Sequence, residues 1–327
     1  MSASSSRATA RLLADIGGTN ARFAWQVGPG APIEALTVLP VAGFARLQDA
    51  LRHYLDTQAP GPVGSAAIAI ASPVLGDAVR MTNHDWAFSQ RDLQAGLGLR
   101  HLRVLNDFTA LALALPVLPE RHRRQVGGAA ADAEGAIGLL GAGTGLGVSG
   151  LVPDGRGGWI PLQGEGGHVT LPAQDARERV VVDGLARRHG HASAERVCSG
   201  DGLLDTFRVL CEAEGAATHG IETPAAVVEA ALARTQPQAV AALDVFCALL
   251  GTVAGNLALT LGARGGVYIG GGIVPRLGTR FDASAFRTRF EGKGRYADYL
   301  RPIPVWVITA PESPALMGAA RSLDGLD

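Results

Sequence analysis

The sequence predicts an α/β protein with two domains, and two features of the chain support this prediction. A segment predicted to form a strand, a glycine-rich turn and a strand occurs twice, at residues 12–27 and again at residues 136–152. Apolar strand-like runs alternate with helix-like segments along the rest of the chain, which is typical of layered α/β domains. The 327 residues are enough for about two domains, so we expect a duplicated fold with one glycine turn per half.

The composition is that of a folded globular protein. Hydrophobic residues make up 47% of the chain and charged residues 18%, which does not indicate disorder. The formal net charge of −1 argues against a nucleic-acid partner or another polyanion bound over a broad basic surface. A phosphorylated ligand would therefore be held by backbone dipoles, single arginines and a metal ion.

The cysteines and the first residues bear on the compartment. Three widely spaced cysteines without a C-x-x-C pair indicate buried thiols in a reducing compartment and argue against a structural zinc site. Residues 1–11 form a tail rich in Ser, Ala and Arg, and the first apolar run is too short for a signal peptide or a membrane span. We therefore expect a cytoplasmic protein with no membrane partner.

The first glycine turn has the residues of a phosphate-binding loop. Residues 12–16 form a predicted buried strand that contains Asp15, and a buried carboxylate needs a partner or a cation. Gly17 and Gly18 allow a sharp turn and a close approach of the backbone to a ligand, and Thr19 adds a hydroxyl. The set suits a phosphate group beside a metal ion, with Asp15 contacting Mg²⁺ through water. An ordinary tight hairpin with a chance aspartate is the alternative.

Neither glycine turn fits a Rossmann or P-loop site. Both of those sites need a helix directly after the glycines, whereas residues 21–27 and 148–152 are strand-like. A P-loop also needs a lysine, and the only lysine of the chain is Lys293. Residues 145–150 match G-x-G-x-x-G, but residues 153–155 that follow are Pro-Asp-Gly and do not start a helix. We therefore reject a dinucleotide site.

The rest of the first half contains a second pair of candidate residues. In order, the sequence predicts a helix at 43–55, a buried central strand at 66–71, a polar and aromatic wall of a binding cleft at 81–86, a strand at 102–105 and a helix at 108–115. Asn106 and Asp107 fall between that last strand and helix, at the edge where open α/β sheets bind ligands. Both residue types also cap helices well, so capping alone is the alternative.

The second half repeats the strand–turn–strand pattern and adds two glycine-rich loops. After a boundary at 116–124, the sequence predicts strands at 136–140, 148–152, 265–269 and 302–308, helices at 178–189, 223–233, 238–261 and 314–320, and a further short segment that opens at 193–197.

Glu165 and His168 lie among glycines, and a carboxylate with an imidazole can bind the hydroxyls of a polyhydroxylated substrate. His168 has no second histidine close by for a metal site. The glycines at 270–272 follow a strand and let a flat base or a ribose lie against the backbone.

Seven of these segments, in their order along the chain, resemble bacterial ATP-dependent glucokinases. They are residues 15–22, 81–89, 106–110, 141–147, 164–168, 193–197 and 270–276. The likeness extends from Leu12 to Gly318 and implies the hexokinase/actin-like (ribonuclease H-like) α/β fold, with two domains around a central cleft. It implies a smaller domain of residues 1–117 plus 310–327 and a larger domain of residues 118–309. The chain departs from related repressor-type kinases, which carry a cysteine-rich zinc motif beside the histidine, because no cysteine precedes Cys198.

The resemblance also implies an activity and a set of site residues. The activity is transfer of the γ-phosphoryl group of ATP to the 6-hydroxyl of D-glucose, the first step of glycolysis, with Mg²⁺ and in a homodimer. Asp107 would take the proton of that hydroxyl. The implied glucose contacts are Asn106, Asp107, Glu165, His168 and Glu195. The implied ATP contacts are Ala14, Asp15, Ile16, Gly17, Gly18, Thr19, Gly143, Thr144, Gly271 and Gly272.

Two other functions on such a fold are alternatives. A sugar-responsive transcription regulator would need a DNA-binding helix-turn-helix ahead of Asp15, where the sequence has fourteen residues. A nucleotide-dependent chaperone or an actin-like assembly protein would lack the polar set of Glu165, His168 and Glu195. The sequence leaves open the choice between glucose, mannose and glucosamine, and a donor other than ATP such as polyphosphate.

Overall fold

The computed structural model describes residues 10–82, 84–311 and 314–326. The strands are β1 (Arg11–Ile16), β2 (Asn20–Gln26), β3 (Glu34–Pro40), β4 (Ser65–Ile70), β5 (Ala78–Arg80), β6 (Ala87–Ser89), β7 (His101–Asn106), β8 (Arg123–Gln125), β9 (Ile137–Ala142), β10 (Leu146–Pro153), β11 (Trp159–Gln163), β12 (Val267–Gly270) and β13 (Val305–Ile308). The helices are α1 (Leu47–Thr57), α2 (Gln90–Gly96), α3 (Asp107–Ala114), α4 (Ala176–His189), α5 (Gly200–Glu214), α6 (Pro224–Ala233), α7 (Pro237–Leu261), α8 (Val274–Leu277), α9 (Thr279–Asp282), α10 (Phe286–Glu291), α11 (Ala297–Leu300) and α12 (Ala315–Ser322).

Contacts between residues divide the chain into two compact units. The first unit is Met1–Leu118 with Pro311–Asp327, and the second is Pro119–Ala310. The domain boundaries implied by the resemblance differ from these by one residue (117 against 118, and 309 against 310). The domain boundaries implied by the resemblance remain a prediction of where the chain divides into separate domains.

The first unit is built on a five-stranded sheet with the order β3-β2-β1-β4-β7. β1, β4 and β7 are parallel, with Ile16 opposite Ile70 and Ile70 opposite Asn106. Their carboxyl ends therefore meet at one edge of the sheet, where open α/β sheets bind ligands. β1 and β4 are buried along their whole length, as the apolar runs predict.

Helices cover both faces of this sheet. α1 packs Leu51 on the face that contains Leu12, and α12 packs on the opposite face against Leu13. α12 and α3 approach closely, because a Cβ atom on Gly318 would lie 1.6 Å from the carbonyl oxygen of Ala110. The last helix is therefore part of the core of the first unit.

Arg11 connects the start of β1 to the end of the chain. Its side chain is fully buried and donates to the carbonyl oxygens of Ala320 at 3.2 Å and Leu323 at 3.3 Å. It also donates to Asp324 Oδ1 at 2.8 Å. A buried guanidinium is tolerated when its donors are paired in this way, and the pairing fixes the position of the segment after α12.

The second unit is built on a six-stranded sheet with the order β11-β10-β9-β12-β13-β8. β9, β12 and β13 are parallel, and Gly141 on β9 lies opposite Gly270 on β12. The glycine-rich turns that follow these two strands therefore leave the sheet at the same edge. All three cysteines, Cys198, Cys211 and Cys247, are buried and unpaired in the core of this unit, as predicted.

α7 is the long apolar helix that the sequence predicts. By length and composition it is the one helix in the described ranges that could cross a membrane, and most of it is buried inside the second unit. Gly251 and Gly255 allow α10 to approach, because added Cβ atoms would lie 2.2 Å from the Phe286 oxygen and 2.5 Å from the Phe290 oxygen. These two glycines therefore mark close packing between α7 and α10.

The largest difference from the predicted elements is α5. In the segment predicted to open at 193–197, Ser193 forms an isolated β-bridge with Thr170 and residues 195–197 form a turn. The helix begins at Gly200 after the N-cap Ser199. Gly200 and Gly202 lower the helix propensity of the first turn, so the sequence pattern did not show this 15-residue helix. The sequence prediction also omitted β3, β5, β6, β8, β11, α2 and the short helices α9 to α11.

Candidate active site

The first glycine hairpin joins β1 to β2 at the edge of the first unit's sheet. Asp15 is buried, and its register partner is Arg22, whose Nη1 atom lies 3.6 Å from Asp15 Oδ2. The Gly17 N–H closes the turn by donating to the Asn20 carbonyl oxygen at 3.0 Å. Thr19 is exposed. The hairpin therefore presents backbone N–H groups and a hydroxyl beside a carboxylate that has the partner its burial requires.

Ala14 and Ile16, two of the predicted ATP contacts, have their side chains in the core of the first unit. Both side chains are fully buried. Any contact from these residues to a nucleotide must therefore come from backbone atoms. Gly18, in the turn itself, is partly exposed.

Asn106 is the N-cap of α3. Its Oδ1 atom accepts from the N–H groups of Phe108 at 2.9 Å and Thr109 at 3.3 Å. Its Nδ2 atom donates to the Ser72 carbonyl oxygen at 3.4 Å. Such a cap satisfies N–H groups that the start of a helix leaves unpaired. Capping is therefore one role of Asn106, and its amide nitrogen has a second hydrogen that can donate to a substrate.

Asp107 is the first residue of α3 and lies half-buried just beyond the end of β7. Its Oδ1 atom accepts from the Phe108 N–H at 2.9 Å. Burial raises the pKa of Asp107 to about 6; the Phe108 N–H opposes this shift and the Asp15 carboxylate adds to it. A carboxyl group whose pKa lies near the operating pH accepts a proton efficiently in catalysis.

Residues 81–86, predicted as a wall of a binding cleft, belong in part to the core. Trp86 is buried among the core residues of the first unit. Thr82 is exposed, and its N–H donates to Ser72 Oγ at 2.8 Å, which ties the segment to the end of β4. Asn83 lies outside the described residues.

The second glycine hairpin joins β9 to β10 at the edge of the second unit's sheet. The Gly143 N–H donates to the Gly145 carbonyl oxygen at 2.9 Å. The Gly200 N–H, at the start of α5, donates to the Gly143 carbonyl oxygen at 2.8 Å. A Cβ atom on Gly143 would have none of the described atoms within 4 Å, and Thr144 is exposed. These two residues are therefore accessible to a ligand.

The turn after β12 lies against this hairpin. Gly271 has a φ of +84°, and a Cβ atom there would lie 2.1 Å from the Ala142 carbonyl oxygen. Glycine is the residue that fits both this left-handed backbone and this distance. Gly272 is exposed, and a Cβ atom on it would meet no described atom within 4 Å. Gly271 thus has a structural role, and Gly272 is accessible to a ligand.

The backbone brings together Glu165, His168 and Glu195, the predicted sugar contacts of the second half. Glu165 precedes a 3₁₀ turn that ends at His168. Inside that turn the Gly167 carbonyl oxygen accepts from the Glu195 N–H at 2.8 Å. The side chains of Glu165 and His168 are exposed and have no hydrogen-bonding partner in the part of the chain that the structure describes. They are therefore available to the hydroxyl groups of a ligand.

Glu195 is half-buried and also contacts the second hairpin. Its Oε2 atom accepts from the Leu146 N–H at 2.9 Å. A Cβ atom on Gly145 would lie 2.5 Å from the same oxygen. The carboxylate therefore occupies the space that a side chain at position 145 would need, a contact that the sequence did not predict.

The sequence prediction did not include three residues that position the site. Arg22 pairs with Asp15, Ser72 accepts from Asn106 and Thr82, and Ser199 Oγ donates to the Glu195 carbonyl oxygen at 2.8 Å. Pairing across the first predicted hairpin could have identified Arg22, because opposite charges facing each other on neighbouring strands stabilise a sheet. Ser72 and Ser199 act through contacts with distant segments, for which the sequence carries no local signal.

A solved glucokinase structure and a solved hexokinase structure share this fold. A glucokinase from an Antarctic psychrotroph has a TM-score of 0.88 and 35% identity, with 96% of this chain and 98% of that chain covered. A ROK hexokinase from Thermus thermophilus shares the fold, with a TM-score of 0.71, 18% identity, and 97% and 100% of the two chains covered. The fold and the two glycine hairpins place the chain in the hexokinase/actin-like class.

Sequence comparison narrows this class to one family. The Glucokinase family model matches residues 12–325. A Glucokinase of Aromatoleum aromaticum is 52% identical over 316 residues, which are 96% of this chain and 94% of that protein. A Bifunctional protein glk of Burkholderia pseudomallei is 51% identical over 314 residues, 96% of this chain, and the chain spans about half (48%) of that relative's length. The chain belongs to the Glucokinase family.

Proposed function

We propose that this protein is an ATP-dependent glucokinase. It transfers the γ-phosphoryl group of ATP to the 6-hydroxyl group of D-glucose and yields glucose 6-phosphate and ADP. The observation that carries the proposal is the place of Asp107, a half-buried carboxyl group with a pKa of about 6 at the same sheet edge as the Asp15 hairpin. The choice of glucose is supported by family membership and by the relative named Glucokinase at 52% identity.

Asp107 acts as the general base. Its carboxylate accepts the proton of the 6-hydroxyl while the sugar oxygen bonds to the γ-phosphorus, and the bond from that phosphorus to the bridging oxygen breaks as ADP leaves. The transition state of phosphoryl transfer is loose, so positioning and charge stabilisation contribute more than covalent chemistry. Because Asn106 caps α3, the Asp107 carboxylate is not the group on which the helix start depends.

Backbone N–H groups of the two hairpins bind the phosphates of ATP in this proposal. Glycine turns allow close approach, since no Cβ atom separates the N–H groups from the phosphate oxygens. The Cβ positions of Gly143 and Gly272 meet no described atom within 4 Å, which supports a ligand at both. We assign the phosphates to residues 17–19 and 143–145 and the adenosine to the turn after β12.

Asp15 fits a magnesium ion that accompanies ATP. Among the described residues, no group of three or more His, Cys, Asp or Glu side chains could hold a metal ion by itself. Mg²⁺ keeps several waters and is typically bound through one or two carboxylates plus substrate phosphates. Asp15 is a buried acid beside the first hairpin and would hold the ion through water. When bound, the ion neutralises charge on the phosphate oxygens.

Glu165, His168 and Glu195 bind the sugar hydroxyls, with Asn106 as a further donor. Each hydroxyl donates once and accepts from another group, and carboxylates with an imidazole or an amide meet both needs. The exposed side chains of Glu165 and His168, held close to Glu195 by the backbone, support this role.

The proposal includes a homodimer in the cytoplasm that performs the first step of glycolysis. The resemblance to the family supports these points. Light scattering on the purified protein tests the dimer, for which we expect twice the mass of one chain. The mass of a single chain at assay concentrations would contradict it.

A coupled assay with a panel of sugars and donors tests the proposed function. The sugars are glucose, mannose and glucosamine, and the donors are ATP and polyphosphate, each with and without Mg²⁺. We expect the highest kcat/KM for glucose with ATP and Mg²⁺. A preparation made in the same way from host cells that do not express the protein controls for kinases of the expression host. The proposal is wrong if glucose 6-phosphate forms no faster than with that preparation, or if another sugar or donor gives a higher kcat/KM.

A further inference from the structure

Residues 195–200, which we call the 195–200 turn, contact both ends of the second glycine hairpin. Glu195 Oε2 accepts from the Leu146 N–H at 2.9 Å, where the hairpin enters β10. The Gly200 N–H donates to the Gly143 carbonyl oxygen at 2.8 Å, where the hairpin leaves β9. The conformation of the hairpin therefore depends on the position of this turn.

The side chain of Ser199 links the 195–200 turn to the first turn of α5. Its buried hydroxyl donates to the Glu195 carbonyl oxygen at 2.8 Å and accepts from the Gly202 N–H at 3.0 Å. A Cβ atom on Gly202 would lie 2.7 Å from the same carbonyl oxygen, so α5 packs directly on the Glu195 peptide. The Glu195 N–H donates to Gly167, in the turn that carries the sugar contacts. The 195–200 turn therefore connects α5, the 3₁₀ turn that ends at His168 and the second glycine hairpin.

We propose that the 195–200 turn couples sugar binding to nucleotide binding, with Glu195 as the shared side chain and Ser199 as the positioning residue. The proposal rests on the proposed function. Oε2 of Glu195 holds the hairpin through the Leu146 N–H, and Oε1 accepts from a sugar hydroxyl. A hydroxyl bound to Oε1 fixes the carboxylate in the orientation in which Oε2 holds the hairpin. An occupied sugar site thereby orders the backbone N–H groups that bind phosphate.

Coupling of this kind has two consequences. Thermodynamic linkage makes it reciprocal, so a bound nucleotide must raise the affinity for glucose by the same factor as glucose raises the affinity for the nucleotide. Water is a smaller acceptor than glucose and does not contact Glu195 as a sugar does. Without sugar the hairpin is therefore less well ordered for phosphate, which limits hydrolysis of ATP.

Calorimetry on the full chain tests the coupling. The dissociation constant of glucose is measured with and without a non-hydrolysable ATP analogue and Mg²⁺, for the wild type and for Ser199→Ala. The matched control is Thr223→Ala, which removes the N-cap of α6, where Thr223 Oγ1 accepts from the Ala226 N–H at 3.2 Å. Gly145→Ala reaches the same contact from the hairpin side, because the new Cβ atom displaces Glu195 Oε2.

The outcomes separate the inference from the proposed function. For the wild type we expect the analogue to tighten glucose binding by about 5- to 150-fold, the usual range of coupling between two sites. Ser199→Ala and Gly145→Ala should bring this factor close to one, whereas Thr223→Ala should keep it despite a similar fall in melting temperature. Three results would overturn the inference alone. They are a wild-type coupling factor in Ser199→Ala, an equal loss of the coupling factor in Thr223→Ala, and the absence of coupling in the wild type. A wild type that binds no glucose would overturn the proposed function as well.

Discussion

The two glycine hairpins of this protein obtain their carboxylates from different places. The first hairpin carries Asp15 in its own strand, opposite Arg22, and closes its turn with its own backbone. The second has no acid of its own. Its carboxylate is Glu195, 49 residues further along the chain, and its turn is also held by Gly200 at the start of α5. The two turns therefore differ in the source of their carboxylate, which is local in the first unit and distant in the second. Each turn also has a backbone contact to another segment, since the Thr19 carbonyl oxygen accepts from the Val41 N–H at 2.9 Å.

This difference has a functional meaning. A hairpin whose charge lies in its own strand keeps that charge whatever else is bound. A hairpin that depends on Glu195, which we also assign to the sugar, can respond to the sugar. The comparison predicts that substitutions at the first hairpin affect the nucleotide alone, whereas substitutions around the second affect both substrates.

The largest expected effect that tests this comparison is that of a side chain placed inside each hairpin. We expect Gly143→Val to lower kcat/KM for ATP by about 10²-fold, the scale of a misplacement of about 1 Å at a reacting group. Its Cβ atom meets no described atom within 4 Å, so the fold should be unchanged. Gly17→Val should also act on ATP, while glucose binding measured without nucleotide survives. Loss of glucose binding in step with ATP binding would instead indicate a folding defect.

Removal of the shared charge should have the next largest effect. Glu195→Gln should lower kcat/KM for glucose by a factor that corresponds to about 1–3 kcal/mol of free energy, the scale of one mispaired buried polar group. Asp15→Asn is the matched control, because it removes a carboxylate from the first hairpin and should leave the glucose dissociation constant unchanged. Wild-type kcat/KM for glucose in the Gln variant would show that Glu195 does not contact the sugar.

A smaller effect should appear in stability at the turn that packs on the second hairpin. Gly271→Ala forces a Cβ atom to 2.1 Å from the Ala142 oxygen at a φ of +84°, so it should lower the free energy of unfolding by more than about 1 kcal/mol. The neighbouring Gly272→Ala has room for its Cβ atom and should melt like the wild type while its affinity for ATP falls. Equal melting temperatures for the two variants would contradict the structural role of Gly271.

The last expected effect is a pH dependence of stability at Asp107. Its pKa in the folded protein, about 6, is above the ordinary value of 3.8, so the folded state binds the proton more tightly than the unfolded state. The stability that this proton contributes is fully present below about pH 4 and is lost as the pH rises through about 6. Asp107→Asn lacks this loss, so its melting temperature should rise relative to wild type from pH 4 to pH 8. Parallel melting curves across that range would show that the pKa is not raised.

The sequence predicted what depends on neighbouring residues. The strand with Asp15, the glycines after it and the pair at 106–107 all lie within short segments, and the structure places them at one sheet edge. The fold class and the family were predicted correctly from the order of the motifs.

The sequence did not predict what depends on tertiary contacts. The start of α5 was hidden by its glycines, although Ser199 there connects Glu195 to the helix. Trp86 was assigned to a binding surface because of its polar neighbours, and it is in the core. The capping of α3 by Asn106 could be proposed from the residue type but not separated from a ligand contact, because asparagine at a helix start suits both roles.

The central claim is that Asp107 is the base, and turnover of Asp107→Asn with saturating glucose and ATP tests it most directly. Asn keeps the shape of the side chain but cannot accept the proton, and loss of a general base costs typically about 10²–10⁴-fold in rate. We predict a loss of this size in a variant that melts no lower than wild type at neutral pH. A variant that melts in this way and keeps more than about a tenth of the wild-type turnover would contradict the account, and the base would have to be another residue.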